Sequence, residues 1–395
     1  MTERMPRIRL FNVKFSPNLG DGLLAECLEM AMKECGGDAS GTYSVDLSAR
    51  TRYARGDASR STVLRVLDGL PSSLRSLATA PPRELLLRRK WRPHYEQHLK
   101  GADAVVIGGG NLLTDMDLNF PVKVASALEM AARQGLPSAI YGVGVASHWS
   151  AKGTALMQRA LERAKPIYVS VRDENSKRNF DSRFAAAAGR LAIVVRDPGL
   201  MIGRYLPTDP AGRREGIGLC VTSAVAIRYH STQVVSDEDL ATWYANLCKG
   251  LSAEGFKVVA FTNGSPEDEV VLDQIEPVLR EAAGSGFERR RPDTPTELAS
   301  FIASFSGLVA HRMHAIIAGV SLGVPVFALL WDEKLTAFMR SIERADCMAF
   351  VQPGNEPEVV SKLVASLDGS AAAAQTALLD ETFEAARDLF RVLAR

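Results

Sequence analysis

The chain is poor in net charge. Over 395 residues it carries 47 Lys+Arg against 46 Asp+Glu, a formal +1. A generic nucleic-acid binder neutralises phosphates with an excess of Lys and Arg, so that class is disfavoured. Cysteine is also scarce: Cys27, Cys35, Cys220, Cys248 and Cys347 lie far apart, without a CxxC pair. An odd, scattered set builds neither a disulfide framework nor a zinc site, and reads as free thiols in a reducing cytoplasm. Long apolar runs are missing too. The longest uncharged apolar stretch, residues 315–331, is divided by Gly323 and Pro325, and no apolar run follows Arg4, Arg7 and Arg9. Neither a membrane span nor a signal peptide is expected. There is no GxSxG, no HExxH and no flanked DxD, and His94, His98, His148 and His230 lack ligand-spaced partners. The expectation is therefore no metal centre, with any divalent-ion requirement left open.

What is present is ordinary globular composition, 46% hydrophobic and 24% charged. The length suits two or three domains. Charge is unevenly placed. Residues 50–100 hold 12 Lys+Arg and 4 Asp+Glu, a local +8, which leaves −7 for the rest. This basic insertion reads either as a solvated surface or as a dock for an anionic partner, a membrane face or a diphosphate.

Short β-branched runs alternate with helical patterns. Residues 8–13, 104–107, 138–141, 167–171 and 193–195 read as strands, and an amphipathic helix is expected over 21–33. After a linker over 201–216 the pattern restarts, with strands at 217–221, 257–261, 308–310 and 324–330. Helices are expected over 237–251 and 266–282, and an Ala-rich helix closes the chain. Strands of this kind imply parallel sheets covered on both faces. The fold class is α/β, with two Rossmann-like doubly wound domains at residues 1–205 and 206–372 and a C-terminal helix at 373–395.

Four segments could carry chemistry. In residues 307–334, His311, Arg312, Met313 and His314 sit at a strand's C-terminal end, where open α/β sheets bind ligands and helix starts attract anions. Arg312 and His314 can share a target only if Arg312 precedes the helix proper. Otherwise Arg312 caps a carboxylate and one histidine is core. Arg172 ends another predicted strand, where a guanidinium suits phosphate or carboxylate, or pairs with Asp173. PNLGDG at 17–22 and GGGNLLTD at 108–115 are glycine-bearing loops, as is Tyr141 to Gly144, and tight turns explain them equally well.

In order along the chain, NLGD at 18–21, GGGNLLTD at 108–115, SVRDENS at 170–176, RDPGL at 196–200 and HRMHAIIAGVSLGVPVFALLWDEK at 311–334 resemble the polysaccharide pyruvyl transferase family. The resemblance spans about residues 12–340. It implies a GT-B-like fold and transfer from the co-substrate phosphoenolpyruvate to hydroxyls of a bacterial glycan. The product is a pyruvate ketal, phosphate is released, and no cofactor is tightly bound. The arginine and histidine of the family's RxH block match Arg312 and His314, with Met313 in place of the common leucine, and its strand-end arginine matches Arg172. On this reading Arg172, Arg312, Met313, His314 and Lys334 hold phosphoenolpyruvate and His314 protonates its methylene carbon. Asp21 or Asp115 takes the hydroxyl proton, and Asn18, Gly20, Gly109, Gly110, Asn111 and Gly142 form the acceptor-side loops. The basic insertion suggests a lipid-linked acceptor at the inner face of the membrane, in the cytoplasm. Two rival readings share the fold: a nucleotide-sugar glycosyltransferase, which would release a nucleotide, and a non-catalytic binder of glycans or anions, which would turn nothing over.

Overall fold

The computed structural model describes residues 4–53, 83–206, 214–230, 236–367 and 372–395. Twelve strands form two parallel sheets of six. The first holds β1 (Ile8–Asn12), β2 (Tyr43–Asp46), β3 (Ala104–Gly108), β4 (Ser138–Val143), β5 (Tyr168–Val171) and β6 (Ile193–Val194), in the order β2-β1-β3-β4-β5-β6. The second holds β7 (Ile217–Cys220), β8 (Val258–Phe261), β9 (Phe287–Arg289), β10 (Gly307–Ala310), β11 (Val326–Leu330) and β12 (Met348–Phe350), in the order β12-β11-β10-β7-β8-β9. Both are doubly wound α/β sheets, as expected. The central strands β1, β3, β4, β7, β8, β10 and β11 are buried along their whole length. That is why they read as continuous apolar runs rather than alternating ones.

In each sheet the strand order reverses once. The reversal falls between β1 and β3 in the first sheet and between β7 and β10 in the second. Loops at such a reversal splay apart and leave a crevice at the carboxyl ends of the strands. The loop after β1 leads into helix Leu19–Glu34, and the loop after β10 leads into helix Met313–Ser321. The first is opened by Asn18, whose side chain accepts from the Gly20 N–H, and it buries Leu23, Leu24, Cys27, Leu28 and Ala31, the apolar stripe read from the sequence.

Three edge strands, β2, β9 and β12, are not expected from the sequence. They are three or four residues long and only partly buried, so they leave little apolar signature. The proposed linker needs correcting. Residues 201–205 are not a connection: Met201 and Ile202 are fully buried, and a 3-10 turn, Pro198–Met201, runs into a short helix, Ile202–Tyr205. This turn packs against helix Leu19–Glu34, helix Met313–Ser321 and the C-terminal helix Ala372–Leu393. The C-terminal helix therefore touches elements of both sheets rather than covering one face. Residues 207–213, which adjoin the expected domain division, lie outside the described residues, as do residues 54–82 of the basic insertion. Of that insertion, Arg88, Arg89, Lys90 and Arg92 are exposed, while Leu87, Trp91, Tyr95 and Leu99 face the core. Those four cations lie together on an exposed helix face.

The five cysteines are free, and four are buried. Among the described residues no helix is long and apolar enough to cross a membrane.

Ser321 ties the junction together. Its hydroxyl donates to the Leu200 carbonyl at 2.7 Å and accepts from the Gly203 N–H at 2.9 Å, with no solvent exposure. Ser321→Ala orphans both backbone groups, so urea denaturation should show a loss of about 2 kcal/mol.

Candidate functional site

The two reversals face each other, and helix Leu19–Glu34 meets helix Met313–Ser321 at their N-termini. His314 Nδ1 lies 3.5 Å from Asp21 Oδ1. The approach is close enough that a Cβ on Gly20 would fall 2.3 Å from the His314 Cβ. The loop after β8 joins this contact: the Leu19 N–H donates to the Asn263 carbonyl at 2.7 Å.

Arg312 precedes the helix, as sharing a target with His314 requires. It is the N-cap residue, in extended conformation (φ −69°, ψ 114°), and no side chain caps this helix start. The guanidinium, however, is already engaged. Nε donates to Asp268 Oδ2 at 2.7 Å, Nη2 lies 2.5 Å from the same oxygen, and Glu267 follows at 3.6 Å. Asp268 is fully buried and also accepts from the Ser223 N–H, so it anchors Arg312 to the loop after β7. Arg312 thus meets both expectations: it precedes the helix and it pairs with a carboxylate. His311 is the core histidine, buried against Tyr244 at 3.0 Å and held at a pKa of about 3 by burial and by Arg312.

Arg172 stands at the end of β5 with a side chain only 5% exposed. Its two neighbouring carboxylates are loose, Asp173 and Asp197 each 3.6 Å away, and Nε has no hydrogen-bond partner. Asp173 is occupied elsewhere, capping the next helix through the Ser176 N–H and hydroxyl. Asn111 Oδ1 is likewise buried without a partner. Asn111 Oδ1 and Arg172 Nε converge over Gly144, whose Cβ would lie 2.6 Å from one and 3.0 Å from the other. Asn111, expected on the acceptor side, is therefore a neighbour of Arg172. Lys334, in the first turn of helix Glu333–Ser341, has no carboxylate within 4 Å among the described residues. Burial, and then Arg172, hold its pKa below the ordinary value.

His314 sits within the same positive field. Burial first, then Arg172 and Arg312, hold its pKa down at about 3, which favours the neutral imidazole. Burial pushes the Asp21 carboxyl up to about 6, against a hydrogen bond from Ser16 and the charges of Arg50 and Arg312. Of the two, Asp21 is the group whose titration lies nearer neutrality.

The remaining expected residues have simpler employment. Asp115 accepts from the Leu118 N–H at 3.0 Å and from the Ser150 N–H and hydroxyl at 2.8 and 2.6 Å. Both its oxygens are used in bracing two loops, so it is corrected from candidate base to loop cap. Asn18 is a helix cap. Gly109, Gly110 and Gly142 all adopt positive φ, at 79°, 70° and 58°. Gly110 faces Asp21, and Gly142 packs under Pro198. Met313 is half-buried and rests against the core. Asp268, Asp197, Asn263 and Arg50 were not singled out beforehand. Asp197 lay within RDPGL, whereas a buried acid in the helix following β8 leaves no mark in the sequence. Among the described residues no group of three or more His, Cys, Asp or Glu side chains could hold a metal.

Residues 18–333 match the polysaccharide pyruvyl transferase family. The chain belongs to that family. The match spans most of the chain and includes Asp21, Arg312 and His314, which lie at the two reversals, and Arg172 at the end of β5. No curated protein matches the chain by sequence. Among solved structures it is similar to a putative UDP-N-acetylglucosamine 2-epimerase from Listeria monocytogenes, at TM-score 0.57 and 12% identity, covering 98% of this chain and 95% of that one. The UDP-GlcNAc 2-epimerase of Methanocaldococcus jannaschii gives 0.53 at 13% identity with 98% of each chain covered. A glycosyltransferase from Rickettsia africae gives 0.53 at 10% identity, again over 98% of each. At these identities the likeness concerns the fold, and it is the GT-B arrangement expected from the resemblance.

Asp21 gives a stability test. Folding raises its pKa from 3.8 to about 6, so the folded state favours the proton. That contribution is fully present below the ordinary value and is lost as pH rises through about 6. Asp21→Asn should therefore be more stable than wild type by about 3 kcal/mol at about pH 8. The difference should vanish at about pH 3.5, as read by denaturant midpoints.

Proposed function

We propose that the protein transfers the pyruvyl group of phosphoenolpyruvate to two hydroxyls of a glycan, forming a cyclic ketal and releasing phosphate. The observation that carries this reading is the set of under-partnered cations beside a proton-sharing pair. Arg172 Nε lacks a hydrogen-bond partner, Lys334 has no carboxylate within 4 Å among the described residues, and Arg172 acts on both Lys334 and His314. Phosphoenolpyruvate carries a carboxylate and a phosphate on one carbon. Arg172 and Lys334 suit those two anions, and the uncapped start of helix Met313–Ser321 adds free N–H groups and its dipole. Arg312, tied to Asp268, shapes the wall and adds positive potential.

Chemistry at this site needs one proton on the methylene carbon, after which C2 becomes electrophilic. The first hydroxyl adds there, phosphate leaves, and the second hydroxyl closes the ring. Of the two hydroxyl protons, one restores the acid and the other departs with phosphate. Asp21 and His314 are placed to handle that proton together. With Asp21 at about 6 and His314 at about 3, neither group is mostly protonated at about pH 7. An incoming dianion or trianion cancels the local positive field, raises the His314 pKa and draws a proton from solvent onto Nδ1. His314 then acts as the acid and Asp21, beside the Gly110 loop, as the base toward the acceptor.

The experiment is incubation with phosphoenolpyruvate and a panel of glycans, reading phosphate release together with a mass gain on the acceptor. Nucleotide release from a nucleotide sugar, without phosphate from phosphoenolpyruvate, would replace this reading with the glycosyltransferase one. Within it, His314→Gln should lower kcat by about 10²–10⁴-fold with little change in phosphoenolpyruvate affinity. Lys334→Ala should chiefly raise the KM for phosphoenolpyruvate.

A further inference from the structure

We propose that Asp197 is a positioning residue, which fixes the Arg172 guanidinium relative to the helix that carries His314. The argument starts from an unusual ion pair. Both side chains are buried, Arg172 5% and Asp197 2% exposed, yet Asp197 Oδ2 and Arg172 Nη1 stay 3.6 Å apart. Neither Asp197 Oδ2 nor Arg172 Nε has a hydrogen-bond partner. Charge-assisted pairs ordinarily close to about 2.8 Å, and burying two charges without closing them is costly. A pair kept for stability would be tight. This one leaves the guanidinium edge uncommitted, as a group awaiting an anion requires.

The other carboxylate oxygen has a separate duty. Asp197 Oδ1 accepts from the Gly199 N–H at 3.0 Å and opens the Pro198–Met201 turn. The Leu200 carbonyl of that turn accepts from the Ser321 hydroxyl, and Ser321 is the last residue of the helix whose second residue is His314. A continuous run of contacts therefore leads from Arg172 in the first sheet, through Asp197 and the turn, to the far end of the His314 helix beside the second. Gly142 keeps this path open: its φ is 58°, and a Cβ there would meet Pro198 Cδ at 3.2 Å. Asp197 thus touches both the guanidinium and the turn that packs between the two halves. Asp197 touches no reacting atom in this scheme and acts through Arg172.

The kinetic part rests on the phosphoenolpyruvate reading, and the spectroscopic part does not. Asp197→Asn retains the Oδ1 cap and removes the charge, so the thermal midpoint should stay near wild type. Asp197→Ala, which loses the cap as well, should fall below it. The readout is the Arg172 guanidinium Nη–H signals of the full-length ¹⁵N-labelled protein, assigned with Arg172→Lys. In Asp197→Asn their hydrogen exchange should accelerate at least about tenfold as Nη1 loses the carboxylate that faces it. The kcat for phosphate release should fall at least about tenfold. Calorimetric affinity for phosphoenolpyruvate should be equal to wild type or tighter, since a carboxylate no longer opposes the anion. Unchanged exchange in a folded Asp197→Asn would overturn the proposal. Weaker binding together with a lowered midpoint would also overturn it, because that is the signature of a merely structural residue. Accelerated exchange in a protein whose wild type does not bind phosphoenolpyruvate would uphold the positioning role and remove the donor assignment alone.

Discussion

The site depends on a backbone that comes up against a side chain. Gly20 lies so close to His314 that a methyl group at its Cβ position would occupy the histidine's own volume. Only glycine permits the first turn of one helix to rest on the first turn of the other. That contact brings the reversal of the first sheet against the reversal of the second, and it sets Asp21 3.5 Å from His314. Two helix N-termini pointing at one another would repel through their dipoles. A carboxyl on one and a neutral imidazole on the other make the arrangement tolerable, and an anion between them would make it favourable.

Charge at the junction is balanced in an uneven way. Arg312 is neutralised by Asp268, whereas Arg172 is only loosely accompanied and Lys334 has no carboxylate within 4 Å among the described residues. Positive potential is therefore concentrated at the carboxyl ends of β5 and β10, and it adds to burial in favouring the neutral His314. Desolvation of Asp21 works in the opposite direction and raises the affinity of its carboxyl for a proton. The pair is poised so that a ligand's charge, rather than a change of solvent pH, decides where the proton sits. The burial that creates this condition also carries a stability cost, as is common for sites built from desolvated ionisable groups.

Much of the architecture was legible because parallel strands buried on both faces leave continuous apolar runs. The strands that escaped notice, β2, β9 and β12, are short edges with mixed burial. Arg172, Arg312, His314 and Lys334 could be singled out because ionisable side chains at strand ends are conspicuous there. Their partners could not. Asp268 belongs to a helix start rich in acids, and nothing local marks it among them as the one that meets Arg312. Asp115 misled for a related reason: a carboxylate in a glycine loop looks the same whether it faces a cleft or braces Ser150. Residues 201–205 misled through composition, since the prolines and glycines that follow suggest a linker while Met201 and Ile202 are fully buried.

The central claim is that an anion bound beside Arg172 and Lys334 pulls a proton onto the Asp21–His314 pair. Calorimetric titration of phosphoenolpyruvate at about pH 7, in buffers of different ionisation enthalpy, measures that proton directly. The account predicts uptake approaching one proton per site in the wild-type protein, abolished in His314→Gln. Binding without proton uptake, or uptake that persists in that variant, would contradict it.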